Sequence, residues 1–208
     1  MDLKSNKLVV ILDNGHGIDT PGKRSPDGRF REYRWCRDFV KLLENRLKIK
    51  GIETRILVPE ESDISLSERV RRVNSIYSEN KKKGIDTVLI SIHNNAAGNG
   101  KEWKDARGFT GWVYTNASKM SRKLGSLYAQ AAKVGGLEGN RYIPSDGYFT
   151  ANFYILKNTH CPAILIENGF MDNKEEVDFL LSKNGVERIL NYHENSILNY
   201  IKYYNYTI

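Results

Sequence analysis

The sequence predicts an α/β fold, a single domain with a twisted, mostly parallel sheet of about six strands and helices on both faces. Short apolar runs rich in Val and Ile alternate with segments whose apolar residues recur at helical spacing. Strands that alternate with helices favour a largely parallel sheet covered on both faces. The 208 residues, 40% of them hydrophobic, suffice for one core, and no repeat or domain linker interrupts them. We therefore predict one domain over residues 1–208.

Three strands and two helices are predicted in the first half of the chain. Their order is strand 7–13, helix 31–50, strand 52–58, a helix that begins at Ser65, and strand 86–92. The strands are short runs rich in Val, Ile and Leu, and the first helix has one apolar stripe that ends at Gly51. Ser65 and Glu68 form a capping box, a signal of a helix start. Residues 14–29, with four glycines and two prolines, are predicted to be a loop.

The second half of the chain continues the alternation. Its predicted elements are strand 109–115, helix 118–134, strands 153–156 and 163–166, and helices 174–181 and 186–203. Two stretches rich in Gly, Asn and charged residues, 94–107 and 135–150, are predicted to be loops. The part of the first loop over residues 98–107 carries Trp103 and several charges, and this tryptophan would either line a groove or pack on its own domain.

Composition limits the classes of partner. The net charge is +7 and the pI about 9.3, which favours a polyanion such as nucleic acid or an anionic cell wall or membrane surface. Lys and Arg are spread along the chain without a recognised nucleic-acid motif, so we expect no nucleic acid partner.

No run reaches the length of a membrane span, and the apolar run after MDLKSNK is too short for a signal-peptide core. Cys36 and Cys161 lie outside any C-x-x-C pair and are expected to be buried free thiols.

Two histidines follow apolar runs. His16 comes after KLVVILDNG, and His93 comes after DTVLISI. If both runs are parallel strands of one sheet, both side chains emerge at its carboxyl edge, where open α/β sheets bind ligands. Two histidines brought together in this way can hold a metal ion.

Two glutamates are candidates to complete such a site. Glu32 precedes Cys36 and Phe39 at helical spacing, which places it on the inward stripe of the first helix. A buried carboxylate needs a partner, either a metal ion or a nearby arginine. Glu167 ends the run AILI and would either brace a loop or act chemically. Together, the four residues favour a zinc ion held by His16, Glu32 and His93, with Glu167 left free as a base.

Four motifs resemble those of the zinc-dependent N-acetylmuramoyl-L-alanine amidases of the autolysin and endolysin type. They are DNGHG at residues 13–17, a glutamate opening the first helix at Glu32, SIHNNA at 91–96 and PAILIENGF at 162–170. An Arg69 that follows a leucine in the second helix also matches. The resemblance extends from about residue 8 to about residue 203.

The resemblance implies a catalytic domain that cleaves the amide bond between N-acetylmuramic acid and L-alanine in peptidoglycan. His16, Glu32 and His93 would bind one zinc ion, which polarises the carbonyl group. Glu167 would take a proton from water and pass it to the leaving amine. Asp13 would orient His16 or brace its turn, and Asn95 would also support the ligands.

The resemblance also implies where this chain works and with what. We expect a monomer that binds the glycan–peptide substrate in the cell wall, without a separate wall-binding domain. With no evident signal peptide, it would be released through a phage holin or be a truncated exported enzyme. Three alternatives stay open: a zinc peptidase or amidohydrolase for another acyl-peptide, a non-catalytic wall-binding module, and a nucleic-acid-binding module.

Three further residues are expected to be structural. His160 precedes the last strand, at the edge opposite the predicted metal site. His193 lies on an apolar helical stripe and is expected to be a core or half-buried histidine. Arg69 is expected to form a structural ion pair.

Overall fold

The computed structural model describes residues 6–208. Met1 to Ser5 lie outside the described residues. They belong to the amino-terminal segment that is expected to lack a signal-peptide core. Within residues 6–208, the elements in chain order are β1 (Leu8–Asn14), α1 (Glu32–Ile49), β2 (Glu53–Ile56), α2 (Leu66–Lys82), β3 (Asp86–Asn95), β4 (Thr110–Tyr114), α3 (Lys119–Val134), β5 (Phe149–Ala151), α4 (Tyr154–Asn158), β6 (Ala163–Phe170), α5 (Lys174–Leu181) and α6 (Lys183–Tyr203).

The strands form one sheet in the order β2-β1-β3-β6-β4-β5. Strand β1 is parallel to both β2 and β3, and β3 is parallel to β6. Strand β4 runs antiparallel to β6, and β5 is parallel to β4. The predicted α/β fold with a mostly parallel sheet of six strands is therefore confirmed.

Each face of the sheet carries its own core. The larger core joins α1, α3 and α6 to one face through residues such as Leu12, Ile90 and Ile166. The smaller core joins α2 and α4 to the other face through Ile11, Leu89 and Leu165. The inner strands β1, β3 and β6 are buried on both faces over most of their length, because side chains alternate along a strand and helices cover each side.

The two cysteines lie in different cores, on opposite faces of the sheet. Cys36 packs in the larger core and Cys161 in the smaller one. Both are buried, free thiols, as predicted. The sheet lies between them and keeps them apart. Among the helices of residues 6–208, none combines the length and the apolar character that a membrane span needs.

The prediction of a strand over residues 153–156 was wrong. This segment begins helix α4, and the fifth strand is Phe149–Ala151, within the predicted loop 135–150. Periodicity does not separate strand from helix in so short an apolar run. Tertiary contacts decide it, because Ile155 and Leu156 fill the smaller core while Phe153 and Tyr154 stay exposed. The Thr159 hydroxyl donates to the Ile155 carbonyl (2.6 Å) at the end of this helix.

Strands β3 and β6 extend beyond their predicted ends. Their pairing continues until His93 lies opposite Glu167, and Asn95 lies opposite Phe170. The ladder is irregular between His93 and Asn95, where β6 carries the extra residue of a bulge. His93 and Glu167 therefore lie within the sheet, and their positions are set by its register.

His193 is fully buried on α6, and this makes stability depend on pH. Burial lowers the pKa of His193 from its ordinary 6.5 to about 3. Between these pH values the unfolded chain binds a proton that the folded chain does not, so the free energy of unfolding falls as pH decreases. The slope from this group is at most about 1.4 kcal/mol per pH unit.

The contribution of His193 is measured by urea unfolding of the wild type and His193→Gln at pH 7, 6 and 5. We expect the variant to lose less stability than the wild type on going from pH 7 to pH 5. The two proteins differ at this residue alone, so every other contribution to the pH dependence cancels in the comparison. Equal losses in the two proteins would contradict the assignment.

Candidate metal centre and catalytic site

The carboxyl ends of neighbouring strands bring His93 and Glu167 together. They are cross-strand neighbours on β3 and β6, and Thr110 of β4 lies on the other side of Glu167. Glu167 follows Leu165 by two residues, so it points to the face of the smaller core. The turn after β1 adds His16 at the same edge, and the two imidazole rings lie 5.0 Å apart at right angles.

Glu32 approaches the histidines from the first turn of α1. Its side chain is buried, and its Oε1 lies 3.1 Å from His93 Nδ1 and accepts a 2.9 Å hydrogen bond from the Asn94 backbone N–H. Its Oε2 lies 3.4 Å from His16 Nε2. One potential ligand atom from each of Glu32, His16 and His93 lies within 4.8 Å of the others. The structure thus brings together the three residues that the sequence suggested as ligands.

The donor set fits a zinc ion. Two imidazole nitrogens and a carboxylate oxygen are common ligands of catalytic zinc. Glu32 Oε2 is inaccessible to solvent and has no hydrogen-bond partner among residues 6–208. The nearest nitrogen atoms recorded for it are His16 Nε2 at 3.4 Å and Lys23 Nζ at 4.0 Å. A buried carboxylate oxygen without a hydrogen bond is costly, and a metal ion held by these three side chains would satisfy it directly.

The turn that carries His16 needs glycine on both sides. A Cβ atom on Gly15 would overlap the His93 ring, and one on Gly17 would overlap the backbone of Asp63. His16 itself has a φ of 60°, in the left-handed region that non-glycine residues rarely adopt. Close approach of the backbone to its neighbours thus explains the Gly-His-Gly pattern.

Comparison with known proteins decides the family. Residues 10–199 match the family model described as N-acetylmuramoyl-L-alanine amidase. The chain belongs to the N-acetylmuramoyl-L-alanine amidase family. It is 28% identical over 193 residues to N-acetylmuramoyl-L-alanine amidase CwlM of Bacillus licheniformis, covering 91% of this chain and 67% of that protein. It is 26% identical over 196 residues to the endolysin of Bacillus phage SPP1, covering 91% and 64%.

Solved structures agree with this family. An N-acetylmuramoyl-L-alanine amidase from Clostridium difficile 630 superposes with a TM-score of 0.79 at 25% identity, over 95% of this chain and 98% of that one. The amidase Ami1 from Mycobacterium smegmatis has the same fold, with a TM-score of 0.80 at 16% identity over 94% and 97%. The chain spans about two thirds of the length of the two curated relatives.

Arg69 braces the His16 turn of this amidase. It donates to Asp13 Oδ1 at 2.6 Å, to the Asn14 carbonyl at 2.7 Å and to the His16 carbonyl at 3.2 Å. Asp13 Oδ2 also accepts a 2.6 Å hydrogen bond from the Ser91 hydroxyl. Of the two roles considered for Asp13, these contacts favour bracing the turn. Arg69 is the ion-pair former that was expected, and its partners include two carbonyls of the turn.

Replacing Arg69 with Leu should destabilise the amidase strongly. The side chains of Arg69 and Asp13 are only 3% and 2% exposed, so the variant leaves a buried carboxylate without its cation. Breaking such a pair costs about 3–5 kcal/mol. Urea unfolding measures the loss. The matched control is Arg71→Leu on the same helix, 70% exposed, which should change stability by about 0.5 kcal/mol or less. Similar losses in the two variants would contradict the role of Arg69.

The charges of the two histidines and two glutamates at the site shift one another's pKa values. Burial opposes ionisation of Glu32, but the His16 and His93 side chains outweigh it and lower the pKa of the carboxyl. Burial likewise opposes the charged form of His93, whereas Glu32 and Glu167 raise its pKa. Burial raises the pKa of Glu167 to about 7; the Glu32 charge adds to the effect, and the charges of His93 and Lys23 oppose it. Glu167 is therefore a carboxyl group suited to exchanging a proton near neutral pH.

Asn95 of β3 and Thr110 of β4 lie on the two strands that flank β6, which carries Glu167. Asn95 Oδ1 accepts a 2.8 Å hydrogen bond from the Ala96 N–H, which orients the amide so that Nδ2 donates to Thr110 Oγ1 at 3.4 Å. Thr110 also accepts from the Trp112 indole at 3.3 Å. The contacts of Asn95 thus lead to Thr110, the neighbour of Glu167, and its support of the ligands stays a prediction. Thr110 carried no motif by which sequence reasoning would have found it.

A cleft of about 360 Å³ is lined by two of the proposed metal ligands, His16 and His93. The apolar part of its lining, its apolar wall, consists of Ile64, Leu66, Phe153, Tyr154, Ile155 and Leu165. The polar residues Asp13, Asp63, Ser65 and Arg69 complete the lining. Phe153 and Tyr154 are 38% and 47% exposed, and Phe153 packs against Trp112 with ring centroids 5.3 Å apart. The start of helix α4 thus supplies the aromatic residues of the cleft.

The remaining histidines lie away from the cleft. His160 is exposed just before β6, at the amino end of that strand as expected, and its ring lies 6.2 Å from that of Tyr77. His193 lies in the larger core, in edge contact with Tyr128 and Tyr192. It is a core histidine, as expected, but both ring nitrogens are hydrogen-bonded, Nε2 to Asn168 of β6 and Nδ1 to Tyr128 of α3.

Proposed function

We propose that this amidase hydrolyses the amide bond between N-acetylmuramic acid and L-alanine in peptidoglycan, with one zinc ion held by His16, Glu32 and His93. The observation that carries the proposal is the position of the three ligand atoms, within 4.8 Å of one another and beside Glu167, in a chain of this family. Zinc bound there supplies Lewis-acid polarisation of the scissile carbonyl group.

Glu167 is the proposed general base and acid. Its position next to His93 places it beside the attacking water in this scheme. Its Oε2 has no hydrogen-bond partner within residues 6–208, so it is available to accept a proton. The carboxyl group would then return that proton to the departing amine of L-alanine. Burial raises the pKa of this carboxyl and a zinc ion nearby would lower it, so the bound metal favours the carboxylate form that accepts the proton.

The apolar wall of the cleft is the proposed substrate-binding surface. Its aromatic and aliphatic side chains are suited to the lactyl and alanine methyl groups and to the apolar faces of sugar rings. Water excluded from this wall when substrate binds adds affinity in proportion to the apolar area covered.

Replacing Tyr154 with Ala should weaken substrate binding with little effect on the chemical step. Removing part of the wall is expected to cost about 1 kcal/mol, which raises KM roughly fivefold while kcat changes little. Steady-state kinetics on soluble peptidoglycan fragments gives both constants. The control is Tyr142→Ala, an 81% exposed tyrosine on the loop between α3 and β5. A fall in kcat alone, or equal effects of the two variants, would contradict this role of the wall.

Digestion of purified peptidoglycan tests the proposed function. We expect free stem peptides with L-alanine at the amino terminus and glycan strands that keep their reducing ends unchanged. Muropeptides that retain their stems would overturn the proposal. Release of products cut within the stem would favour the second reading of the same site, a zinc peptidase acting on another acyl-peptide bond.

We also propose that the amidase acts as a monomeric catalytic domain on the cell wall. The endolysin of a Bacillus phage and amidases of Bacillus are among its relatives, which supports this place of action. Release by a phage holin and export by a bacterial host are the two routes consistent with it. Peptidoglycan is the proposed partner, and nucleic acid is not.

A further inference from the structure

A chain of hydrogen bonds joins two helices to the backbone of His93. The Tyr128 hydroxyl on α3 lies 3.2 Å from Nδ1 of His193 on α6, and His193 Nε2 lies 2.7 Å from Asn168 Oδ1. Asn168 Nδ2 in turn donates to the His93 carbonyl at 3.1 Å. Tyr128 and His193 are completely buried, and Asn168 is 8% exposed. The links lie on the larger-core face of the sheet, opposite the face to which the side chains of His93 and Glu167 point.

Chemistry determines the direction of every link. The His93 carbonyl only accepts, so the amide nitrogen of Asn168 must face it and the amide oxygen must face His193. His193 Nε2 then carries the proton, Nδ1 accepts, and the Tyr128 hydroxyl donates. This arrangement needs a neutral imidazole, and burial lowers the pKa of His193 to about 3. Each buried polar group is satisfied in one orientation only.

The hydrogen bond from Asn168 to the His93 carbonyl lies where the pairing of β3 with β6 is irregular. Register between β3 and β6 shifts between His93 and Asn95, and Gly169, next to Asn168, has a φ of +128°. A bulge interrupts the regular ladder and re-aims side chains, and bulges are common beside active sites. Asn168 supplies a side-chain donor to a carbonyl at this point. The backbone of a proposed ligand is thus anchored from two helices where the sheet alone anchors it least.

We propose that His193 is a positioning residue of the metal centre, which acts through Asn168 to hold the His93 backbone in place. The inference rests on the proposed zinc site. An apolar side chain at position 193 would leave the buried Asn168 Oδ1 without a donor. Asn168 would then turn toward another partner, and His93 would lose its anchor. A glutamine at position 193 keeps an N–H near the place of Nε2 and preserves the link.

The test compares variants of the whole chain by zinc affinity, kinetics and stability. For His193→Leu we expect zinc affinity, measured by competition with a chromogenic chelator, to fall about 10- to 100-fold, as for other partners that orient metal ligands. In zinc-saturated protein, kcat should fall and KM should stay the same. His193→Gln should retain wild-type zinc affinity and kcat. Asn168→Ala removes the same link from β6 and should lose zinc affinity and kcat to the same extent as His193→Leu. If His193→Leu does not fold, Asn168→Ala provides the test.

The control for general destabilisation is Leu190→Ala, which opens a cavity in the larger core on the same helix. It should lower the urea midpoint and leave zinc affinity unchanged. Wild-type zinc affinity in both His193→Leu and Asn168→Ala would overturn the inference, as would equal losses of affinity in Leu190→Ala. A wild-type protein that neither binds zinc nor releases stem peptides would overturn the proposed function itself and the inference with it.

Discussion

Glu167→Gln is expected to lower peptidoglycan hydrolysis by about 10²- to 10⁴-fold while zinc remains bound. The amide keeps the size of the side chain but accepts no proton from water and returns none to the leaving amine. His16, Glu32 and His93 are untouched, so the metal site should stay intact. The release of stem peptides measures the rate, and elemental analysis of the purified variant measures the zinc.

The matched control for this variant is Glu175→Gln. Glu175 is 84% exposed on α5, and its loss should leave the rate unchanged. Substantial activity in Glu167→Gln would remove the general base from the proposed mechanism. Loss of zinc from that variant would instead make Glu167 a ligand.

Glu32→Gln should abolish both zinc binding and activity. The carboxylate carries the only formal negative charge among the three proposed ligands, and its buried Oε2 accepts no hydrogen bond within residues 6–208. Zinc affinity should therefore fall by more than the roughly 10- to 100-fold that accompanies loss of an outer hydrogen-bond partner. Chelator competition measures the affinity. Treatment of the wild type with a chelator should likewise abolish turnover, and added zinc should restore it.

The control is Glu102→Gln, whose side chain is 76% exposed in the loop before β4. It should bind zinc as the wild type does. Full activity of chelated wild-type protein would show that hydrolysis needs no metal ion. Tight zinc binding by Glu32→Gln would show that another side chain completes the site.

Much of the fold was predictable because its signals are local. The Val- and Ile-rich runs that became β1, β3 and β6 are recognisable without knowledge of their neighbours, and so are the apolar stripes of α1 and α6. The family was predictable as well, because its motifs are short and contiguous, and the match to the family model confirms it. Helix α4 was missed because a five-residue segment has too few positions to show a period, and its packing against the sheet decides its conformation.

The residues of the candidate site also fall into two groups, those that local sequence motifs suggested and those that only the structure revealed. His16, Glu32, His93 and Glu167 were suggested by their places at the ends of strands and the start of a helix, and the structure brings them together. Their roles in binding zinc and moving protons stay predictions. Thr110 and the link from Tyr128 to Asn168 were not predictable, because each depends on which strands and helices are neighbours in space.

By itself, the sequence determined the class of fold, the family and the residue types that can perform the chemistry. These depend on hydrophobic period and on motifs a few residues long, which neighbours along the chain define. The tertiary structure alone decided that β6 lies beside β3, so that Glu167 meets His93, and that two helices anchor that histidine from behind the sheet. Such contacts join residues more than 60 positions apart in sequence. Only packing of the complete chain specifies them, because no local preference carries information about a distant partner.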